Sequence, residues 1–252
     1  MRIVTWNFLS GGSKVRAAHW ELIRARLAPE ILLAQECRPP DALGGGWNDA
    51  LWFRAPGRGW GTGVYLLRGT IRHMPVPGFR GRVTGGELQR RITRRPLRVF
   101  SVHCPPGEHG YVRTLGRILD RLRPMARDAD LVLGGDFNVV VGLRGADERI
   151  RMSAGERMTL ERLAMEFELL PCWQTMNPGA PLAQTLRWTG DRTAPYHCDG
   201  IFVPARWRRR MESCQVIRGP EWDRLSDHNP VAAVVARARL TPQALCAPSP
   251  GR

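Results

Sequence analysis

The sequence predicts an α/β fold with mixed β-sheets, and three observations support this prediction. Short apolar runs of β type alternate with amphipathic helical patterns, as they do in α/β proteins. Pairs of strands that read as hairpins interrupt the alternation, which argues against a purely parallel sheet. The 252 residues are 43% hydrophobic and 24% charged. A chain of this length and composition can bury its own core without disulfides or metal.

The first part of the chain predicts a strand, a helix and a second strand. Residues 2–6 are an apolar run of β type that ends at Asn7. Residues 14–27 carry apolar side chains at helical spacing, and Pro29 cannot continue a helix. The unbroken apolar run at residues 31–34 is typical of a strand that is buried on both faces.

The rest of the chain predicts a loop, a hairpin, two helices and four more strands. Residues 39–61 are rich in Gly, Pro and Trp, which indicates a loop. Residues 64–67 and 70–74 predict a hairpin, with the turn at Arg68 and Gly69. Amphipathic helices are predicted at residues 111–125 and 156–167. The remaining strands are predicted at residues 97–103, 130–133, 201–203 and 231–235.

One domain is expected over residues 1–239, because neither an internal repeat nor a linker divides it. The proline-containing tail, residues 240–252, is expected to be disordered. The opening segment lacks the apolar core of a signal peptide, and no run of about 18 apolar residues could span a membrane. The six cysteines form no CxxC pair. We therefore expect a cytoplasmic protein with reduced thiols, no membrane contact and no obligate protein partner.

The charge is strongly positive, with 38 basic residues against 23 acidic ones and a net charge of +15. Residues 54–98 contain eleven arginines and one acid, Glu87, and a second arginine cluster covers residues 206–210. Trp52, Trp60 and Phe79 lie in or near the first cluster. Such a mixture predicts a surface that tracks phosphates and stacks bases. The alternative is a solvated, arginine-rich face that reflects only base composition.

Polar residues recur at the ends of the apolar strands, at the points where a rigid strand is followed by a loop. They are Asn7, Glu36, His103, Asp136, Asn138, Asp199, Asp227 and His228. Each alone has an ordinary structural explanation, such as a turn, a cap or a solvated strand end. Together, several converging carboxylates would repel one another unless a divalent cation lay between them. Oxygen ligands favour Mg²⁺, Mn²⁺ or Ca²⁺.

The order of these motifs resembles the endonuclease/exonuclease/phosphatase superfamily, the family of deoxyribonuclease I. The matching segments are TWN at 5–7, QE at 35–36, SVH at 101–103, GDFN at 135–138, HCDGIFV at 197–203 and SDHNP at 226–230. The resemblance implies a four-layer αββα sandwich, in which two mixed β-sheets pack face to face with helices outside. It also implies hydrolysis of a phosphate ester with Mg²⁺, for which Mn²⁺ could substitute.

The resemblance assigns metal binding to Glu36, with Asn7 and Asp227 close to the same ion. It assigns Asp136 to orient or deprotonate the attacking water. Asn138 is expected to hold Asp136 and a phosphate oxygen.

The resemblance also pairs Asp199 with His228 by a hydrogen bond that fixes the imidazole. His228 and His103 are expected to contact the phosphate, where they stabilise charge or help the leaving oxygen. Hydrolysis of a phosphodiester needs such cationic help, since its negative charge repels hydroxide.

Some positions depart from particular branches of the family. Leu9 stands where abasic-site endonucleases usually carry a carboxylate, and Gly200 replaces the usual aromatic residue. Residues 139–141 are valines, without the basic residues of the 5-phosphatases. These departures argue against abasic-site repair and against a phosphoinositide substrate. The motif set as a whole predicts a nuclease acting on DNA or RNA. The alternatives are a phosphatase or sphingomyelinase-like phosphodiesterase, and an inactive member that only binds nucleic acid.

Four further residues are candidates for substrate contact. Arg113 could reach a phosphate from the helix after His103. Thr185 and Trp188 precede the late aspartate motif, and Trp222 precedes SDHNP. The two tryptophans could pack in the core or, if exposed, stack a base.

Overall fold

The computed structural model describes residues 1–10, 16–40, 46–89, 95–143 and 151–237. These residues form two six-stranded mixed β-sheets that pack face to face, with helices on the outer faces, as the sequence predicted. The strands are β1 (Arg2–Asn7), β2 (Ile31–Cys37), β3 (Asp49–Arg54), β4 (Gly61–Leu66), β5 (Thr70–His73), β6 (Val83–Gln89), β7 (Leu97–His103), β8 (Asp130–Asp136), β9 (Leu169–Pro171), β10 (Asp199–Pro204), β11 (Met211–Val216) and β12 (Val231–Val235). The α-helices are α1 (Arg16–Leu22), α2 (Gly110–Ala126), α3 (Ala154–Met165), α4 (Cys172–Met176) and α5 (Pro220–Asp223).

The first sheet has the strand order β11-β12-β1-β2-β4-β3, and the second has the order β5-β6-β7-β8-β10-β9. Each sheet has a central pair of parallel strands. In the first sheet β1 runs parallel to β2, and in the second β7 runs parallel to β8. Their neighbours run antiparallel, so the sheets are mixed.

Three apolar layers hold the sandwich together. Between the sheets, Ile3, Leu33 and Val64 of the first sheet belong to the same buried cluster as Val99 and Val132 of the second. The alternate residues of β7 and β8 face outwards and pack under α2 and α3. The outer face of the first sheet packs against α1. Burial on both faces explains the continuous apolar runs of the central strands.

Local sequence explains where the helices begin and end. Helix α3 begins with a capping box, in which the Ser153 hydroxyl accepts from the Glu156 amide and Glu156 accepts from the Ser153 amide. Helix α1 continues as one π-helical turn, Ile23–Leu27, and ends at Ala28 in the left-handed conformation. Pro29 follows directly, as predicted.

Polar side chains join the two sheets near one edge of the sandwich. Gln35 on β2 is fully buried, and its amide donates to the hydroxyls of Ser101 on β7 and Thr5 on β1. The hydroxyls of Thr62 and Thr84 lie 2.7 Å apart across the same interface. Because buried polar groups are costly when unpaired, these bonds fix how one sheet lies on the other.

The predicted hairpin at residues 64–74 is wrong. Strand β4 pairs with β2 and β3 in the first sheet, whereas β5 pairs with β6 in the second. The turn at Arg68 and Gly69 therefore carries the chain from one sheet to the other. Strand β3 also lies within the segment that was predicted as a loop.

Some predictions fall outside the described residues. They concern Lys14, the arginines 90, 91 and 94, and the tail 240–252. Within the described ranges, no helix is long and apolar enough to cross a membrane. The five described cysteines are free and buried, in agreement with the expectation of reduced thiols.

Candidate active site

The predicted motif residues meet at one edge of the sandwich because of strand direction. Parallel strands β1 and β2 place Asn7 opposite Gln35, next to Glu36. Parallel strands β7 and β8 place His103 opposite Asp136. Strand β10 runs the other way, so its first residue, Asp199, also lies opposite Asp136.

Asp136 is the buried centre of this edge. Its Oδ2 accepts from the Asn7 side chain at 3.0 Å and from the Asn138 side chain at 3.3 Å. Its Oδ1 accepts from the Asn138 backbone amide at 3.0 Å. Burial raises the pKa of Asp136 and the charge of Asp199 adds to this, whereas the His228 charge opposes it. The hydrogen bonds from Asn7 and Asn138 hold the Asp136 carboxylate in one orientation.

The glycine before Asp136 allows the close approach of two strands. A Cβ at Gly135 would lie 1.8 Å from the Val102 carbonyl oxygen on β7. No side chain fits there without moving the strands apart. Gly135 thus lets β7 and β8 bring His103 and Asp136 to the same edge.

His228 forms a hydrogen-bonded pair with Asp199, as predicted. Its Nδ1 lies 2.9 Å from Asp199 Oδ2, and its Nε2 lies 3.9 Å from Asp136 Oδ2. Burial alone would lower the pKa of His228, but the charges of Asp199 and Asp136 together raise it to about 10. The imidazole is therefore cationic at neutral pH and faces Asp136.

His103 lies on the other side of Asp136 and has the opposite character. Its Nε2 is 3.9 Å from Asp136 Oδ2 and 3.4 Å from Glu36 Oε1. Its Nδ1 lies 3.1 Å from Nη1 of Arg82. Since a guanidinium can only donate, Nδ1 accepts and the imidazole proton is on Nε2. Burial lowers the pKa of His103 to about 4, and the charge of Arg82 adds to this effect.

Thr185 positions Asp199 from beneath the site. This side chain is fully buried, and its hydroxyl accepts from the backbone amides of Cys198 and Asp199 at 3.0 and 3.1 Å. It shapes the start of β10, but it cannot reach a substrate directly. The expectation that Thr185 helps shape the site fits this role, and direct substrate binding does not.

The SDHN loop, residues 226–229, is anchored to the end of β1 and to Arg187. The Ser226 hydroxyl donates to the Asn7 carbonyl at 2.7 Å, and the Trp6 indole donates to the His228 carbonyl at 2.9 Å. Arg187 donates to the Asn229 side chain and to the Ser226 carbonyl. These bonds hold the loop beside the end of β1.

The donor set fits a hard divalent cation. Oδ1 of Asp227 is buried and, within the described part of the chain, has no hydrogen-bond partner. Glu36 accepts from the Ser10 backbone amide through Oε2 at 2.7 Å, which leaves Oε1 directed towards His103. Together with the amide oxygen of Asn7, these are oxygen ligands of the kind that Mg²⁺ and Mn²⁺ prefer. The orphaned oxygen is a group that a cation would satisfy.

A second set of possible ligands lies on the other side of Asp136. Asp136, Cys198, Asp199 and His228 offer ligand atoms within 4.8 Å of one another. In this set, Asp199 and His228 already bind each other, and burial raises the pKa of the Cys198 thiol well above its usual value. A protonated thiol and a cationic imidazole are poor ligands. The oxygen set of Asn7, Glu36 and Asp227 contains neither a thiol nor an imidazole.

The predicted substrate-contacting tryptophans divide into one exposed and one buried residue. Trp188 is 50% exposed and lies beside the SDHN loop, since the Arg187 amide donates to the Asp227 carbonyl. Trp222 is only 2% exposed, and its ring packs 5.2 Å from that of Trp6. Base stacking by Trp222 is therefore wrong, because the ring belongs to the core under α1. Arg113 is exposed on α2, and its contact with a phosphate remains a prediction.

The described arginines of residues 54–98 do not form one surface. Arg82 and Arg58 lie over the Trp60 ring, at 4.8 and 5.8 Å from its centre, and this ring is 5.2 Å from that of His103. In contrast, Arg72 and Arg98 form ion pairs with Glu87 on the second sheet. Only part of the predicted surface therefore borders the site.

The second arginine cluster lies away from the site. Residues 206–210 follow the end of β10, whereas Asp199 begins that strand. Arg206 pairs with Asp130, and Arg210 donates to the Ala236 carbonyl and covers Trp207. These contacts tie the far edge of the sandwich together.

The aromatic residues of the first arginine cluster are mostly buried. Trp60 and Phe79 are 8% and 7% exposed. They support arginines and the core, so the prediction that they stack bases is wrong.

Three residues of the site were not predicted from the sequence. Ser10 holds Glu36, Arg82 fixes the His103 tautomer, and Arg187 anchors the SDHN loop. Ser10 and Arg82 lie outside every motif, and Arg187 lies between two of the substrate-contact candidates. The uncompensated charge of residues 54–98 pointed towards Arg82, but it did not distinguish this arginine from its neighbours.

The sequence of this chain is only distantly similar to that of a known protein. No family model matches the chain. A curated relative, the transposon TX1 uncharacterized 149 kDa protein of Xenopus laevis, is 23% identical over 157 residues. The match covers 62% of this chain and only 12% of that relative.

Two solved structures share almost the whole architecture. A variant of the 3′ phosphatase NExo from Neisseria, bound to product DNA hairpin, matches with a TM-score of 0.72 and 21% identity over 94% of this chain and 100% of that one. The AP endonuclease LMAP from Leishmania major matches with a TM-score of 0.71 and 17% identity, covering 94% and 88%. These likenesses confirm the predicted αββα fold.

Proposed function

We propose that this protein is a divalent-metal-dependent phosphodiester hydrolase, a nuclease acting on DNA or RNA. The observation that carries the proposal is the arrangement around Asp136. A buried carboxylate, held by two asparagines, lies between a cationic and a neutral histidine, each with its Nε2 at 3.9 Å. This arrangement offers a water-binding group, a positive charge and a hydrogen-bond donor at one point.

Each residue has a role that follows from its contacts. Asp136 orients the attacking water and accepts its proton, since its raised pKa makes it a better base than a free aspartate. His228 carries the positive charge that stabilises the equatorial phosphate oxygens, and Asp199 keeps it charged. His103 donates a hydrogen bond from Nε2 to the phosphate. Asn138 holds Asp136 in place and can donate to a phosphate oxygen.

Glu36, Asn7 and Asp227 are the residues that would hold the metal. When bound, Mg²⁺ or Mn²⁺ would supply Lewis-acid stabilisation of the phosphate charge. Oδ1 of Asp227 is buried and accepts no hydrogen bond from the described residues, and Oε1 of Glu36 lies at the same edge, 3.4 Å from His103 Nε2; both support this assignment.

The names of the similar structures agree with a nucleic-acid substrate. One is a 3′ phosphatase bound to a product DNA hairpin, and the other is an AP endonuclease. The first name also makes removal of a terminal 3′-phosphate from DNA a second candidate activity for this chain.

A substrate panel in Mg²⁺ and in Mn²⁺ tests the proposal. The panel contains single- and double-stranded DNA, RNA, abasic DNA, a 3′-phosphorylated oligonucleotide, an inositol phosphate and sphingomyelin. We expect internal or terminal cleavage of nucleic acid that stops in EDTA. Turnover of only the 3′-phosphorylated strand would favour the second candidate. Turnover confined to the last two substrates would rule out both, and no turnover of any substrate would favour an inactive binding protein.

A further inference from the structure

Three guanidinium groups, those of Arg38, Arg58 and Arg82, lie around the turn at Gly59 and Trp60, whose ring is near His103. Arg58 and Arg82 both lie over the Trp60 ring, and Arg82 also contacts His103. Arg38 reaches the same turn, because a Cβ at Gly59 would lie 2.8 Å from its Nη2. Among the described residues, no carboxylate lies within ion-pair distance of these three arginines.

The backbone around this cluster is built to keep the arginines together. The turn between β3 and β4 is closed by bonds from the Ala55 amide to the Trp60 carbonyl and from the Arg58 amide to the Ala55 carbonyl. The neighbouring loop packs directly on it, since a Cβ at Gly81 would lie 2.2 Å from the Arg54 carbonyl oxygen. The backbone amide of His103 donates to the Arg82 carbonyl at 2.8 Å. This bond joins the loop that contains Gly81 to the sheet edge that carries His103 and Asp136.

Such a cluster is unfavourable in the absence of an anion. Burial lowers the pKa of the Arg82 guanidinium and the nearby positive charge of Arg58 lowers it further, while the charge of Glu36 only partly opposes this. The Nε of Arg38 is buried and has no hydrogen-bond partner among the described residues. A bound anion would relieve the repulsion and satisfy this donor. Planar guanidinium groups are well suited to phosphate, because they donate two hydrogen bonds at once.

We propose that Arg38, Arg58 and Arg82 form a second phosphate site that binds the backbone phosphate next to the one being cleaved. A small ester with a single phosphate group has no such second phosphate. The site therefore selects a polynucleotide strand, and Trp60 serves as the platform for the arginines. This inference rests on the proposed function, whose scissile phosphate lies at Asp136 and His103.

The proposal is tested by the salt dependence of binding to a fluorescein-labelled single-stranded oligonucleotide. Anisotropy is measured in EDTA, so that the readout does not depend on turnover. We expect Arg58→Gln and Arg38→Gln each to weaken binding about fivefold. Each should also lower the slope of log K against log salt by about 0.7, the value for one lost single-strand phosphate contact.

Arg121→Gln is the matched control, because Arg121 is an exposed arginine on α2 and its loss removes the same charge. If the Arg58 and Arg38 variants bind like Arg121→Gln, the second phosphate site does not exist. Arg58 is exposed, so its variant should keep the unfolding temperature of the wild type.

A kinetic comparison separates this proposal from the proposed function. The p-nitrophenyl ester of thymidine 5′-phosphate is a diester without a neighbouring phosphate. We expect Arg58→Gln to raise KM for an oligonucleotide about fivefold and to leave hydrolysis of the ester unchanged. Equal losses on both substrates would overturn the second phosphate site. If the wild type cleaves neither substrate, the proposed function fails, and the anisotropy result still decides whether the arginines bind a strand.

Discussion

At the scale of single residues, the two histidines beside Asp136 are expected to hold opposite protonation states. His228 has a pKa raised to about 10, and His103 has a pKa lowered to about 4. One therefore supplies charge at neutral pH, and the other supplies a neutral Nε2–H donor. Long-range ¹⁵N–¹H correlation spectra of the metal-free protein at neutral pH should show a doubly protonated His228 and an Nε2-protonated His103. Two neutral imidazoles would contradict this assignment.

These pKa values also predict the direction of a pH effect on stability. The raised pKa of His228 stabilises the fold fully below about 6.5, and this contribution is lost as pH rises through about 10. The lowered pKa of His103 acts in the other direction, since its contribution is lost as pH falls from about 6.5 towards 4. The difference in unfolding free energy between the metal-free wild type and His228→Gln should therefore shrink from about pH 6 to pH 10. A constant difference would show that His228 does not titrate as described.

Glu36 should be the residue whose loss weakens metal binding most. Glu36→Gln keeps the shape of the side chain but removes the charge, and we expect Mn²⁺ affinity to fall by about 10- to 100-fold. Electron paramagnetic resonance of free Mn²⁺ measures this directly. Glu161→Gln on α3 is the control for the same charge change. Unchanged Mn²⁺ affinity in Glu36→Gln would place the metal elsewhere, with the Cys198 set as the first alternative.

The sequence predicted that the motif residues meet at one edge, because they are a few polar residue types that recur at the ends of apolar strands. Asp136, His228 and Asp199 stand where the motifs placed them. Ser10 and Arg82 were missed because any residue with a suitable donor could have served, and only the folded chain shows which one does. The sequence did not decide whether Trp222 packs in the core or stacks a base. Its burial depends on how α1 packs over β1, which only the folded chain shows.

At the scale of secondary structure elements, Gly135 controls how closely β7 and β8 approach. Gly135→Ala should destabilise the protein by about 3 kcal/mol or more, because its Cβ would overlap the Val102 carbonyl. Gly116→Ala on α2 is the control, since the nearest atom to its Cβ would be Nη1 of Arg162 at 3.7 Å, an ordinary van der Waals contact, and the change should stabilise the helix by about 0.5–1 kcal/mol. Denaturant unfolding measures both, and a neutral Gly135→Ala would contradict the strand geometry.

Thr185 should stabilise the fold through two hydrogen bonds that its hydroxyl accepts from backbone amides. Thr185→Val leaves the amides of Cys198 and Asp199 without an acceptor, at a cost of about 2 kcal/mol. Thr185→Ser keeps the hydroxyl and should recover most of the loss. Denaturant midpoints give the comparison. If Val and Ser variants are equally stable, the hydroxyl does not hold the start of β10.

The elements that the sequence failed to predict are those chosen by tertiary contacts. Strand β3 lies in a segment rich in Gly and Trp, whose local signal indicates a loop, but it gains a partner in β4. Strand β6 carries two adjacent glycines that weaken its signal. The turn after β4 reads locally as a hairpin, yet the strands on either side join different sheets.

At the scale of the whole molecule, the net charge of +15 has more than one role. Arg206 and Arg210 tie the far edge of the sandwich together, and Arg98 pairs with Glu87. Arg58 and Arg82, by contrast, border the catalytic edge. The composition alone predicted attraction to polyanions, and the fold shows which arginines lie near His103.

We propose that the sheet edge that carries Asp136 hydrolyses phosphodiesters with the help of a divalent metal. The most direct measurement is cleavage of an end-labelled oligonucleotide by the wild type and by Asp136→Asn, each in Mg²⁺ and in EDTA. We predict turnover by the wild type in Mg²⁺ alone, and a loss of at least about 100-fold in Asp136→Asn with unchanged folding. Cleavage that persists in EDTA, or in Asp136→Asn at the wild-type rate, would contradict it.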